Sequence, residues 1–268
     1  MSATIAIGNQ KGGVAKTTTC LSLGAALAEM GRSVLLIDLD PQANLTLSLG
    51  LEPKQLRRTV LDSLMGNHGL VSISRETATF ALDIAPANME LAVADKVLFK
   101  LPRYQYRLTQ AIGRIDSGIY DYVLLDCPPT LAPLTLNALA AADLLIIPVQ
   151  CEPYAAHSLR QMVRLAVQLR EQANPNLDHR VLITMYDMRN KISRMMLDQM
   201  QNGLKSILFK TVIQIDTKLR EGPAFGKPIT SYAPKSRGAL QYRELAQELQ
   251  SPAMEPLLRR TRLQKHES

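Results

Sequence analysis

At 268 residues and 46% apolar, the chain is long enough for one large α/β domain and too apolar to stay disordered. It has no run of about 18 uncharged apolar residues and no basic segment leading into an apolar one at its start, so neither a membrane span nor a signal peptide is expected. Its net charge of +7 is uneven: residues 189–268 hold 15 Lys and Arg against 7 Asp and Glu, whereas residues 1–188 hold 16 against 17.

The elements come in a regular order. TIAIG, ending at Ile7-Gly8, is a short apolar strand, followed by a glycine loop and a helix over 17–30 that stops at Gly31. VLLID at 34–38 is a fully apolar strand ending in an acid. Strand, loop, helix and strand make a βαβ unit, which implies parallel pairing. Helices are predicted near 59–65, 90–98 and 103–114, with a strand at 81–87. YVLLD (122–126), LLIIPV (144–149) and RVLITMY (180–186) are further strands, with a helix over 155–172 and a terminal helix over 239–250. SYAPKSRG (231–238) reads as a loop. Continuous apolar runs mean strands covered on both faces. The expected fold is therefore α/β, a mainly parallel twisted sheet with helices on both faces. One domain is expected over 1–250, then a basic, loose tail over 251–268.

Ligands of such sheets bind at the carboxyl ends of the strands, where this chain carries Gly8 onward, Asp38, Asp40, Asp126 and Asp187. The loop there, GNQKGGVAKTTT (8–19), departs from G-x-x-x-x-G-K-[ST]: Gln10 and Ala15 stand where glycines belong, and Lys11 is extra. The chemistry is still legible. Gly12 and Gly13 let backbone N–H groups approach phosphate oxygens, and the helix start near Lys16 offers amides and a positive dipole end. Lys16 reaches β/γ-phosphates and Thr17 can ligate Mg²⁺. Ala15 is expected to sit in a conformation open to residues with a Cβ. The three cysteines, Cys20, Cys127 and Cys151, form no C-x-x-C and no disulfide framework, so a reduced, cytoplasmic protein is expected. The basic C-terminal third suits a polyanion partner or a solvated face.

KGGVAKTT resembles the deviant Walker A motif of the ParA/MinD family of P-loop ATPases, K-G-G-x-[GA]-K-[TS]. The likeness runs through DLDPQANLT (38–46), YDYVLLDCPPTLAPLTLNAL (120–139), PVQCEPYA (148–155), ITMYD (183–187) and GPAFGKPI (222–229), up to about residue 250. It is strongest to the short chromosomal-type members. The resemblance implies a P-loop NTPase of the deviant Walker A type that uses ATP and Mg²⁺. Lys11, Gly12, Gly13, Val14, Ala15, Lys16, Thr17 and Thr18 would hold the phosphates, with Lys11 reaching the ATP of a second subunit. Asp40 would position the attacking water. Thr17, Asp40 and Asp126 would serve Mg²⁺. Where relatives read I-P-R-N, this chain has Ile213-Gln214-Ile215-Asp216, leaving Asp216 to accept from the adenine amino group and Met185 to pack on the base.

Three branches of the family differ in their partners. The basic third favours the branch that binds nonspecific DNA as an ATP homodimer, moves a cargo, and is stimulated by a ParB-like or other adaptor protein, on the nucleoid. Arg189, Lys191, Arg194, Lys218 and Arg220 are the expected DNA contacts. The MinD-like branch binds membrane through a terminal apolar helix, and this tail offers only Met254, Leu257, Leu258 and Leu263 as larger apolar residues. The iron-protein branch needs two cysteines positioned to share a cluster; Cys127 follows Asp126, but Cys151 follows another strand and Cys20 lies in the first helix, so each reads better as a small buried thiol. A scaffold that binds ATP without turnover is the remaining alternative.

Overall fold

The computed structural model describes residues 2–153 and 155–258. Its strands are β1 (Ala3–Ile7), β2 (Val34–Asp38), β3 (Arg75–Glu76), β4 (Leu82–Ala85), β5 (Tyr122–Asp126), β6 (Leu144–Val149), β7 (Asp178–Tyr186) and β8 (Leu208–Gln214). They form one sheet in the order β3-β4-β2-β5-β1-β6-β7-β8. Every pairing is parallel except β3 with β4 at one edge.

Side chains alternate across the sheet and divide the core in two. Ala6, Leu35, Val123, Leu125, Leu145 and Ile147 face one layer, which includes the helices Val60–Met65, Arg107–Gly113, Pro133–Ala141 and Ala155–Gln172. Ile5, Ile7, Leu36, Leu124, Leu144 and Ile146 face the other, built on the helices Lys16–Glu29 and Arg237–Leu249. These two helices are tied by a buried hydrogen bond between the Thr19 and Tyr242 hydroxyls at 3.0 Å. The first lies close on the sheet because of Gly24, where a Cβ would stand 2.7 Å from Leu36 Cδ2.

The strands read from continuous apolar runs are all present, as are the expected helices, within a few residues. Two strands fall outside that reading. β3 has only two residues. β8 is an edge strand whose residues alternate between better and less buried, so it shows no continuous run. The helix Lys191–Gly203 is also new; Asn190 caps it, accepting from the N–H groups of Ile192 and Ser193. The segment expected as a loop begins inside a short helix, Ile229–Tyr232. Packing continues past residue 250, since Met254, Leu257 and Leu258 are buried in the second core layer. The rest of the expected tail, 259–268, lies outside the described residues.

Candidate nucleotide site

The loop after β1 is held open by side chains anchored at a distance. Asn9 donates from Nδ2 to the Pro148 carbonyl at 2.8 Å, and its Oδ1 accepts from the Lys11 N–H at 3.1 Å. Thr184 Oγ1 donates to the Val14 carbonyl at 3.1 Å. Gly13 and Ala15 both adopt left-handed backbone, with φ of 74° and 66°. This corrects the expectation for Ala15: it occupies the conformation that a Cβ disfavours by about 1–2 kcal/mol. Ala15→Gly is therefore expected to stabilise the fold by about 1 kcal/mol, a rise in melting temperature of about 2 °C by calorimetry, with nucleotide binding retained.

The helix Lys16–Glu29 starts immediately after this turn and has no acidic residue in its first turn, so its N-terminal amides face the cleft without competition. Lys16 is buried, and its Nζ donates to the Lys11 carbonyl at 3.2 Å. Burial lowers its pKa, opposed chiefly by the Asp126 carboxylate. Thr17 Oγ1 donates to Asp126 Oδ2 at 2.7 Å, while the buried Asp126 Oδ1 has no hydrogen-bond partner.

Asp38 and Asp126 end adjacent strands in register. Burial, and then the Asp38 charge, hold the Asp126 carboxyl well above the usual range. Burial likewise pushes Asp38 up to about 6, against hydrogen bonds from Thr46 and Asp40. Those bonds define what Asp38 does. Its Oδ1 accepts from the Asp40 N–H at 3.1 Å, and its Oδ2 accepts from the Thr46 N–H and hydroxyl at 2.9 and 2.8 Å. Asp38 thus folds the 40–46 segment over the cleft and presents Asp40 to it. Asp40 Oδ1 accepts from the Gln42 N–H at 2.9 Å.

The cleft has a volume of about 540 Å³ and is lined by Gly12, Gly13, Lys16, Thr17, Asp40 and Arg220, among others. The orphaned Asp126 oxygen beside the Thr17 hydroxyl fits a hydrated Mg²⁺. Among the described residues no group of three or more His, Cys, Asp and Glu could hold a metal alone, so a cation here needs phosphate oxygens as well. A narrower pocket adjoins the cleft, lined by Ala15, Thr18, Met185, Ile213–Asp216 and Tyr242. Met185 and Asp216, the residues expected to meet a base, both line this pocket. The Asp216 oxygens already accept from the N–H groups of Lys218 and Gly238, at 3.0 and 2.8 Å.

Lys11 does not line this cleft. Its Nζ turns to Gln150 Oε1 at 3.2 Å and forms an ion pair with Glu152. Gln150 also donates to the Gly13 carbonyl at 3.1 Å and to Met185 Sδ at 2.8 Å. Gln150 and Glu152 contact the loop in a way that loop spacing does not reveal; the sequence signals are their place after the carboxyl end of β6 and within the PVQCEPYA stretch of the family likeness. Met185 is strained as well, with φ of 51°, and such outliers gather at functional sites.

The expected DNA contacts divide. Arg189, Lys191 and Arg194 are exposed and lie together after β7. Arg189 pairs with Asp187 at 3.1 Å, and Arg194 donates to the Met188 carbonyl at 2.7 Å. Lys218 lies on the helix after β8 and pairs with Glu221 at 2.7 Å. Arg220 borders the nucleotide cleft.

Comparison with known proteins agrees with this geometry. A family model described as "AAA domain" matches residues 2–179. The sporulation initiation inhibitor protein Soj of Bacillus subtilis is 41% identical over 246 residues, covering 91% of this chain and 97% of that protein. The chromosome partitioning protein ParA of Caulobacter vibrioides is 41% identical over 247 residues, covering 91% and 92%. A Mycobacterium smegmatis structure titled cobyrinic acid a,c-diamide synthase, with bound ATP analog and magnesium, superposes with a TM-score of 0.81 at 38% identity, covering 92% of this chain and 93% of that one. The chain belongs to the ParA/MinD family of P-loop ATPases, with Soj-like relatives.

Proposed function

We propose that this chain is an ATP- and Mg²⁺-dependent ATPase that dimerises with ATP bound, binds nonspecific DNA, and partitions or positions a cargo. The cargo is a chromosome, a plasmid or a protein assembly. Hydrolysis is slow and is stimulated by a ParB-like or other adaptor protein, and the ATP form resides on the nucleoid. The observation that carries this reading is the separation of two lysines five positions apart. Lys16 is buried under the phosphate cleft, whereas Lys11 stands outside it on the rim. A lysine that does not serve its own cleft is placed to serve another. A Cβ at Gly12 would meet nothing within 4 Å, so the loop is open to an approaching surface there.

Lys16, the loop amides and the helix N-terminus bind and orient the polyphosphate. Thr17 and Asp126 would hold Mg²⁺, which supplies charge neutralisation between phosphate oxygens. Asp40 is presented to the cleft by Asp38 and orients a water for in-line attack. Closing two such clefts face to face joins two copies of the Arg189, Lys191 and Arg194 segment, so the dimer binds DNA more tightly than one subunit does.

The membrane-binding alternative needs an apolar tail face. Of the tail's larger apolar residues, Met254, Leu257 and Leu258 are buried in the domain core, and Leu263 lies outside the described residues. No described helix is long and apolar enough to cross a membrane. Light scattering tests dimerisation directly. Wild-type protein is expected to double in mass with ATP and not with ADP, and Lys11→Ala to bind ATP as a monomer. A monomeric wild type under saturating ATP would overturn the reading.

A further inference from the structure

The helix Lys218–Ala224 packs on the short helix Asn44–Ser48, which follows Asp40 in the chain. Its two basic residues have different surroundings. Lys218 is engaged on the outer side, with Glu221 at 2.7 Å and the Tyr232 ring centroid at 6.0 Å. Arg220 is exposed, and its guanidinium has no hydrogen bond or ion pair among the described residues. It borders both parts of the nucleotide site, facing Gly13, Lys16 and Asp40 in the larger cleft and Met185 and Asp216 in the base pocket. Arg220 and Lys16 are the cations that line these two spaces.

A nucleoside triphosphate brings several negative charges into a cleft that Asp40 lines and beside which Asp38 and Asp126 are buried. Lys11 is turned onto Glu152 and gives nothing to its own site. A guanidinium has five N–H donors in a planar fork matched to phosphate oxygens, and it forms charge-assisted hydrogen bonds. We infer that Arg220 is a nucleotide-binding residue, closing over the junction of base and phosphates and supplying the second cation from the same subunit. This rests on the nucleotide reading of the cleft. It moves Arg220 from the DNA surface, where its charge alone would put it, to the ligand. It also links the nucleotide to the segment that presents Asp40, through the packing of the two short helices.

The test is calorimetric titration of the full chain and of Arg220→Ala and Arg220→Lys. The titrants are a non-hydrolysable ATP analogue with Mg²⁺, ADP with Mg²⁺, and adenosine. Duplex DNA binding is measured in parallel at several salt concentrations with saturating analogue. Arg220→Ala is expected to weaken the analogue about tenfold and ADP by less, to leave adenosine unchanged, and to leave the DNA salt dependence unchanged. Arg220→Lys should recover part of the loss. Unaltered nucleotide affinity in Arg220→Ala overturns the inference. If the DNA salt slope also becomes shallower by about 1, the residue contacts DNA phosphate instead. Wild-type protein that takes up no analogue overturns the nucleotide reading itself, and this inference with it. Melting curves of the variants should match the wild type, since the side chain has no partner to lose.

Discussion

Lys16→Ala is expected to abolish measurable ATP turnover and to weaken ATP binding by at least about a hundredfold, the scale for removing one partner of a buried charge pair. Lys16 is 8% exposed, and among the described residues its ammonium has one acceptor at 3.2 Å, the Lys11 carbonyl. Burial works against its charge, and the nearby Asp126 carboxylate supports it. A cation kept in such a place without a close carboxylate partner is poised for an anionic ligand. The same fact predicts the sign of the stability effect. Without nucleotide, removing the buried charge relieves desolvation, so Lys16→Ala should melt at or above the wild-type temperature. Titration and calorimetry on one preparation check both statements. Loss of binding together with a lower melting temperature would show that Lys16 chiefly supports the loop.

Asp40→Ala is expected to lower turnover by about 10²–10⁴-fold with ATP binding retained, the range for losing a group that orients or deprotonates a nucleophile. The ATP dimer should then accumulate, seen by light scattering as a long-lived species. The geometry separates this from the effect at Asp38. Asp40 gives one oxygen to the Gln42 N–H and otherwise faces the cleft. Asp38 is fully buried and accepts from Asp40 and Thr46. Asp38→Ala should therefore disturb the whole 40–46 segment and reduce stability as well as rate. An Asp40→Ala protein that hydrolyses ATP at the wild-type rate would remove Asp40 from the mechanism.

The inner strands were legible in the sequence because both of their faces are buried. VLLID, YVLLD and LLIIPV are apolar at almost every position. β8 was not, because an edge strand alternates, and LFKTVIQ places Lys210 and Thr211 among its apolar residues. In the site, the places of Lys16 and Thr17 were legible from the loop's spacing after a strand and that of Asp126 from the end of an apolar strand, while the role expected of Asp126 came from the family resemblance. Ala15 was not: its small side chain says nothing of φ, and the left-handed turn follows from how the loop meets the helix. Gln150 and Glu152 reach the loop from 137 to 141 residues away, across the sheet, so sequence spacing cannot show the contact. Arg220 was legible as a charge; its place in the cleft depends on the turn after β8, where Asp216 accepts from Lys218 and Gly238.

ATP, acting through Lys11, is proposed to control DNA binding. The most direct test of this is affinity for nonspecific duplex DNA at fixed salt, with ATP, ADP or no nucleotide, for wild type and Lys11→Ala. A parallel sample holds anionic liposomes. The account predicts tight DNA binding by wild type with ATP only, its loss in Lys11→Ala even though that variant still binds ATP, and no uptake by liposomes. DNA binding that is equal in all three nucleotide states, or liposome binding in place of DNA binding, would contradict it.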